Sequence, residues 1–423
     1  MTALPRRRVA VIGAGVAGLT AAYLLQRQAD VTLYEADARL GGHAHTHELA
    51  DADGRTVNVD TGFIVHNWQT YPNLIRLFAE LDVETQDCDM SMSISCAGCG
   101  LEYAGGKGLS GLFPTAANAR NPRYLYLLTE ILRFHRRARA VLAAAEPPEP
   151  TMREFLRAGR FSSYFQNHFV TPLISAVWSC APELAGAYPA RYLLEFLANH
   201  GMLSASGSHQ WRTVVGGSHR YVAKAVKQLS AVHTVRPVRA VIRHADGVEV
   251  HDDADERASF DAAVIATHPN QALAMLPNPT PAQARTLSAF GYSVNPTSLH
   301  TDRSMLPVSS RAQACWNYAM PDCDASAAAV HVTYDMNRLQ RLDTATRYLV
   351  TLNDDGATGA GSVLDRMTYE HPIFTPDSVA AQRRLPLLSD ATLAFAGAYH
   401  GWGFHEDGCR SGVEAASRLG VDW

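Results

Sequence analysis

Residues 8–43 constrain this chain more than any other stretch. Val9-Ala10-Val11-Ile12 is a short apolar, β-branched run of the kind that forms a fully buried strand. It runs directly into Gly13-Ala14-Gly15-Val16-Ala17-Gly18, and then into Leu19-Thr20-Ala21-Ala22-Tyr23-Leu24-Leu25, which has helical apolar spacing. The three glycines have separate tasks: a tight turn, close backbone approach to a pyrophosphate, and close packing of helix on strand. The helix start adds free N–H groups and the positive end of its dipole. A second strand, Val31-Thr32-Leu33-Tyr34, ends in Glu35, 17 positions past Gly18 (35 − 18). A ribose-binding carboxylate is expected roughly 20 residues on. Strand, glycines, helix, strand and acid in this order predict a Rossmann-type dinucleotide site.

The rest of the composition fits a folded enzyme. At 423 residues the chain has room for two or three domains, and 47% hydrophobic content supports a large core. A net charge of −4 gives no reason to expect a nucleic-acid partner. Cys88, Cys96, Cys99, Cys180, Cys315, Cys323 and Cys409 are scattered and odd in number, which fits a reducing compartment better than a disulfide framework. No signal peptide is read before the first strand and no run reaches membrane-spanning length, so a cytoplasmic protein is expected.

Further along, Arg39 and the pair Gly41-Gly42 either lie beside the phosphates or form a turn leaving a helix. His43, His45 and His47 alternate as on one strand face, but no carboxylate or thiol cluster joins them, and no metal is expected. Asp53-Gly54 predicts a hairpin turn, followed by Thr61-Gly62, where Gly62 admits a flat ring or makes a bulge. A helix is predicted over Tyr71–Leu81 and a strand over Met90–Ile94. Cys96-Ala97-Gly98-Cys99 has redox spacing but lies in a glycine-rich turn, and is read as incidental. Asn121–Leu142 predicts a basic amphipathic helix, with Arg120, Arg123, Arg133, Arg136, Arg137 and Arg139 opposed by Glu130 alone. Such a helix either lies on anionic membrane or is a solvated face over a packed one. Glu146-Pro147-Pro148-Glu149-Pro150 breaks it, and apolar helices with Trp178, Tyr188, Tyr192 and Phe196 follow to Leu203. Helix Tyr221–Leu229, strands Val232–Ile242 and Gly247–Val250, and the buried strand Ala262–Thr267 come next, with further strands near Val294–His300, Ala329–Tyr334 and Tyr348–Leu352. At the end, strand Thr392–Gly397 leads through Ala398-Tyr399-His400-Gly401-Trp402-Gly403-Phe404-His405-Glu406-Asp407-Gly408 into a helix from about Cys409 to Leu419. This is a second anion-favouring helix start, suited to negative charge on a reduced flavin ring.

These stretches resemble the flavin-containing amine oxidase superfamily, which includes phytoene desaturases and protoporphyrinogen oxidases. The likeness is carried by V-A-V-I-G-A-G-V-A-G-L-T-A-A-Y-L-L with Y-E-A-D-A-R-L-G-G-H, and by F-A-G-A-Y-H-G-W-G-F-H-E-D-G-C-R-S-G. D-T-G-F-I-V-H-N, Y-P-N-L, N-H-G-M-L, W-R-T-V-V-G-G-S and A-T-H-P-N-Q-A-L look similar to one bacterial subfamily of NAD/FAD-binding proteins. That subfamily is associated with cyclopropane-fatty-acid-synthase-like methyltransferases. The resemblance implies non-covalent FAD held by Gly13, Ala14, Gly15, Gly18, Glu35, Arg39, Gly41, Gly42, Thr61, Gly62, Val238, Gly397 and Glu406, Asp407 and Gly408. His43 stands where the family carries Arg, and Phe404 aligns with one aromatic of its cage. The family's lysine near the flavin falls, loosely, on Tyr292–His300, which has none; Lys107, Lys224 and Lys227 lie elsewhere.

The implied fold is α/β: a discontinuous FAD-binding domain (1–68, 207–270, 385–423) and an inserted mixed α+β substrate domain (69–206, 271–384). The implied activity is hydride transfer on an apolar, fatty-acyl or isoprenoid-like substrate. Tyr399, His400 and His405 are the candidates for direct participation; equally, the aromatics pack and the histidines orient the loop. Redox-neutral double-bond isomerisation, amine oxidation, and a non-catalytic flavoprotein presenting lipid to a methyltransferase are the alternatives. Peripheral contact with the inner membrane is expected through 121–142.

Overall fold

The strand Arg7–Ile12 lies at the middle of a parallel five-stranded sheet, in the order 231–233, 29–34, 7–12, 262–265, 393–395. Strand order reverses at Arg7–Ile12, so a crevice opens past its C-terminal end, where open α/β sheets bind ligands. The computed structural model describes residues 6–144, 150–203, 209–324 and 330–423. The proline-rich break at Glu146–Glu149 and Met1–Pro5 therefore lie outside the described residues.

Helix Val16–Leu25 is buried almost all round because it is covered twice, by the sheet and by helix His405–Arg418. Small residues allow the close approach. A Cβ on Gly408 would come within 2.6 Å of Val16 Cγ1, and one on Gly412 within 2.4 Å of the Ala17 carbonyl oxygen. Burying Leu19, Leu24 and Leu25 contributes about 1.5–3 kcal/mol each relative to exposure.

The second large sheet has seven strands, in the order 363–373, 291–300, 349–352, 331–335, 316–320, 92–96, 101–105. It is antiparallel except where 316–320 runs parallel to 92–96. Helices Pro122–Ala143, Met152–Ala158, Thr171–Trp178 and Ala190–Asn199 share its core. Helix Pro72–Glu80 packs with the nucleotide layer instead: Leu74, Leu77 and Phe78 share a cluster with Leu19 and Ala416. A boundary at 68/69 thus separates this helix from the layer on which it packs.

Several elements differ from expectation, and three of them bear on the site. The run Val232–Ile242 is two strands, because Val235 adopts φ +53° and Pro237 follows. Ala231–His233 joins the parallel sheet, while Val238–Arg243 joins a three-stranded sheet with 248–252 and 257–260. The last helix starts at His405, where Asp407 accepts the Phe404 N–H at 3.1 Å. Strand Val363–Ile373 was not expected at all, since Asp365, Arg366, Thr368, Glu370 and His371 interrupt its apolar residues.

Candidate active site

A cavity of about 810 Å³ fills the crevice and extends between the two sheets. Its nucleotide end is the first glycine loop. Gly13 adopts φ +98°, and a Cβ there would meet the Ala266 carbonyl oxygen at 2.8 Å. Gly15 caps the helix and faces open space: no atom lies within 4 Å of where its Cβ would be. Glu35 lines the cavity and accepts the N–H groups of Ala14 at 2.7 Å and Asp37 at 2.9 Å.

The second glycine pair folds onto the first loop. Gly41 N–H donates to Ala14 at 2.9 Å, and a Cβ on Gly42 would lie 3.0 Å from Gly15 Cα. Gly62 presses on the His43 carbonyl, 2.2 Å from the position of an added Cβ. The Thr61 hydroxyl lies 2.7 Å from that of Tyr369, which also meets His45 Nδ1 at 2.9 Å. His43 is half-buried and lines the cavity, and its Nε2 is buried with no hydrogen-bond partner. Burial first, and the neighbouring His371 second, hold its pKa well below the ordinary range, so the ring is neutral. An unpartnered buried nitrogen and an open N-cap glycine beside the cavity-lining Glu35 carboxylate are features that a bound dinucleotide would complete.

At the other end the walls are aromatic. Phe196 stacks on Phe404 with centroids 4.7 Å apart, Trp178 packs edge-on to Phe404, and Trp402, Trp316 and Tyr334 complete the lining. Trp178 Nε1 donates to the Trp402 carbonyl at 3.1 Å. Gln382 and Tyr192 donate to the Gly401 carbonyl at 2.6 Å, which fixes the loop after Gly397. His268 stacks on Tyr292 and meets Glu370 at 3.0 Å, while His371 Nδ1 meets Asn295 Oδ1 at 2.7 Å. No lysine lines the cavity among the described residues.

Gly13, Ala14, Gly15, Glu35, Gly42, His43, Thr61, Gly62, Val238, Gly397, Tyr399, Phe404 and His405 all meet at this cavity. Other expected residues lie outside it. Arg39 donates to the carbonyls of Leu40, Gly42 and Ala44, so its guanidinium braces the glycine turn. Gly41 and Gly18 serve packing; a Cβ on Gly18 would lie 1.9 Å from the Gly13 carbonyl oxygen. The Glu406 carboxylate turns away to cap helix Pro72–Glu80, accepting Asn73 N–H, Asn73 Nδ2 and Leu74 N–H at 3.1, 2.6 and 3.0 Å. Asp407 caps its own helix and meets Arg410 at 3.3 Å, while Gly408 packs on Val16.

The three catalytic candidates fare unequally. His400 does not reach the cavity. Burial holds its pKa down at about 3 and that of His405 also at about 3. His405 stacks on Phe63 at 3.8 Å and meets Tyr221 at 2.9 Å, contacts that orient its ring. Tyr399 lines the cavity with a hydroxyl that has no partner, and burial pushes its pKa above the ordinary value. Tyr369, Glu370 and His371, on the unexpected strand, were missed. Their signal was the alternation Met367, Tyr369, His371.

The match of the flavin containing amine oxidoreductase model over residues 16–420 decides the affiliation. The chain belongs to that family. Its cofactor is FAD. A Mycobacterium tuberculosis protein named "Putative flavin-containing monoamine oxidase AofH" is 28% identical over 284 residues, 63% of this chain. The aligned region spans 58% of that relative's length. Cyclohexylamine oxidase from Brevibacterium oxydans superposes with a TM-score of 0.71 at 17% identity, covering 98% of both chains. A fatty acid isomerase from P. acnes also gives 0.71, at 14% identity over 98% of this chain and 99% of its own. At these identities the likeness establishes the fold: the parallel nucleotide-binding layer beside a second, mixed sheet.

Proposed function

We propose that this flavin-containing amine oxidoreductase takes hydride from an apolar, fatty-acyl-class lipid rather than from an amine. The carrying observation is the aromatic, lysine-free end of the cavity. Trp178, Phe196, Trp316, Tyr334, Trp402 and Phe404 offer apolar surface, and the carboxylate there, Glu370, is already paired with His268. A flexible chain gains by leaving water for such walls, at about 0.8 kcal/mol per buried CH₂. A bound FAD supplies the two-electron acceptor. The protein positions and shields: Gly15 and Glu35 hold the nucleotide, and Phe404 and Trp402 wall the reacting end from water. The deciding experiment is anaerobic. Fatty-acyl phospholipid should bleach the flavin absorbance, and mass spectrometry should find the lipid two hydrogens lighter. Bleaching by a primary amine but not by lipid would refute this reading, and lipid shifted in double-bond position without mass change would make the enzyme an isomerase. A lipid-modifying methyltransferase is the partner class that such a product would suit.

A further inference from the structure

Away from the cavity, Cys96, Cys99, Cys323 and His168 converge so that their ligand atoms all lie within 4.8 Å of one another. The geometry assigns this cluster as a tetrahedral Cys₃His zinc site that fastens a helical turn to the ends of two strands of the seven-stranded sheet. Tetrahedral zinc, with Zn–S of about 2.3 Å and Zn–N of about 2.0–2.1 Å, sets ligand atoms about 3.8 Å apart for two sulfurs and about 3.6 Å apart for sulfur and nitrogen. Cys96 Sγ to Cys323 Sγ is 3.8 Å, and Cys99 Sγ to His168 Nε2 is 3.6 Å.

The surroundings fit a metal as well as the ligand atoms do. Cys96 and Cys99 flank the turn between strands Met92–Cys96 and Leu101–Gly105, and Gly100 after them takes φ +67°. Gly98 lets the Cys323 loop come close: a Cβ there would lie 2.8 Å from Asp322 Cα. Asn167 Nδ2 donates to the Cys323 carbonyl at 2.9 Å and holds that loop. His168 Nδ1 lies 3.0 Å from the Tyr164 carbonyl oxygen. That bond places the proton on Nδ1 and leaves the Nε2 lone pair for the metal, the usual arrangement behind a ligating histidine. His168 sits in a π-helical turn, Gln166–Val170, a local widening that often re-aims a functional side chain. With four protein ligands the site is closed, hence structural rather than catalytic. Zinc binding would displace one proton from each of the three thiols. The turn bearing His168 continues into helix Thr171–Trp178, whose last residue lines the cavity, so the metal would stiffen that wall.

Protein purified without chelator from zinc-supplemented cells should carry about one zinc per chain by elemental analysis. X-ray absorption at the zinc edge should show three sulfurs and one nitrogen. Cys99→Ser, at an exposed position, and His168→Gln should each lose most of the metal while FAD content stays at the wild-type level. Removing zinc with a thiol-binding mercurial should lower the melting temperature, and thiol-reducing treatment with Zn²⁺ alone should restore it. Wild-type protein that is metal-free with freely reacting thiols, a Cys96–Cys323 disulfide found by mass spectrometry, or zinc unaffected by both substitutions would overturn the assignment. None of these readouts depends on which substrate the flavin oxidises.

Discussion

Gly15 and Gly18 sit three positions apart in one loop and should fail in different ways. Gly15→Val puts its side chain into open cavity, and a φ of −69° with ψ of 176° suits a β-branched residue. Its folding cost should be about 1 kcal/mol, yet flavin absorbance of the purified protein should vanish while its circular dichroism is unchanged. Gly18→Ala drives a methyl into the Gly13 carbonyl and should cost about 3 kcal/mol or more in a denaturant titration. A second contrast concerns amines. Asn295 on the strand aligned with the family lysine is buried, with Nδ2 donating to Ser179 and Asn353 at 2.8 Å each and Oδ1 facing His371. Peroxide release from a panel of simple primary amines should therefore stay at background. Glycines were legible from sequence because a missing Cβ has few uses. Charged residues were less so: Arg39, Glu406 and Asp407 each found backbone partners that sequence spacing does not show.

At the scale of elements, helix Pro122–Ala143 forms where expected, Asn121 capping it through the N–H groups of Arg123 and Tyr124. Of the apolar spacing Tyr124, Leu125, Leu128, Ile131 and Leu132 that predicts it, however, only Tyr124 is fully buried. Its apolar stripe, Tyr124, Leu127, Phe134 and Ala138, is buried in the core rather than free for a membrane. Outward, Leu125 and Leu132 stay exposed beside Arg136 at helical spacing, while Arg133 pairs with Glu130 at 2.8 Å and lies over Phe161. Membrane contact, as a proposal, thus rests on Arg120, Arg123 and Arg136. Each contributes about 1 kcal/mol at an anionic surface, screened by salt. The triple change to Glu should abolish low-salt sedimentation with anionic vesicles and leave FAD content intact. Equal sedimentation of wild type and variant would make this an ordinary solvated face. No helix among the described residues is long and apolar enough to cross a membrane. Strand Val363–Ile373 escaped notice for a related reason: it lies at the sheet edge, where one face meets water, and polar residues erase the buried-strand signature.

For the whole molecule, histidines drawn away from water set the response to acid. Burial holds His45, His66, His200, His300 and His371 at about 4, and His400 and His405 at about 3. Unfolded, each titrates near 6.5, so the neutral folded form is favoured above that value and this stability is lost as pH falls. Between its folded and unfolded values each contributes up to about 1.4 kcal/mol per pH unit. Asp60 and Asp407, raised by burial to about 6, act in the opposite direction: they keep protons the unfolded chain would release above about 4. The histidines outnumber the two aspartates, and the melting temperature should be lower at pH 5 than at pH 7.5 by differential scanning fluorimetry. The pairing of helix Val16–Leu25 with helix His405–Arg418 has a consequence for synthesis on the ribosome. Nine of the ten residues of the first helix are buried in the finished protein, so it has no polar face to show water meanwhile. Some 380 residues (405 − 25) separate the two helices. At about 5–20 residues per second, the nascent helix waits about 20 to 80 s for its cover, a long exposure that invites chaperone capture.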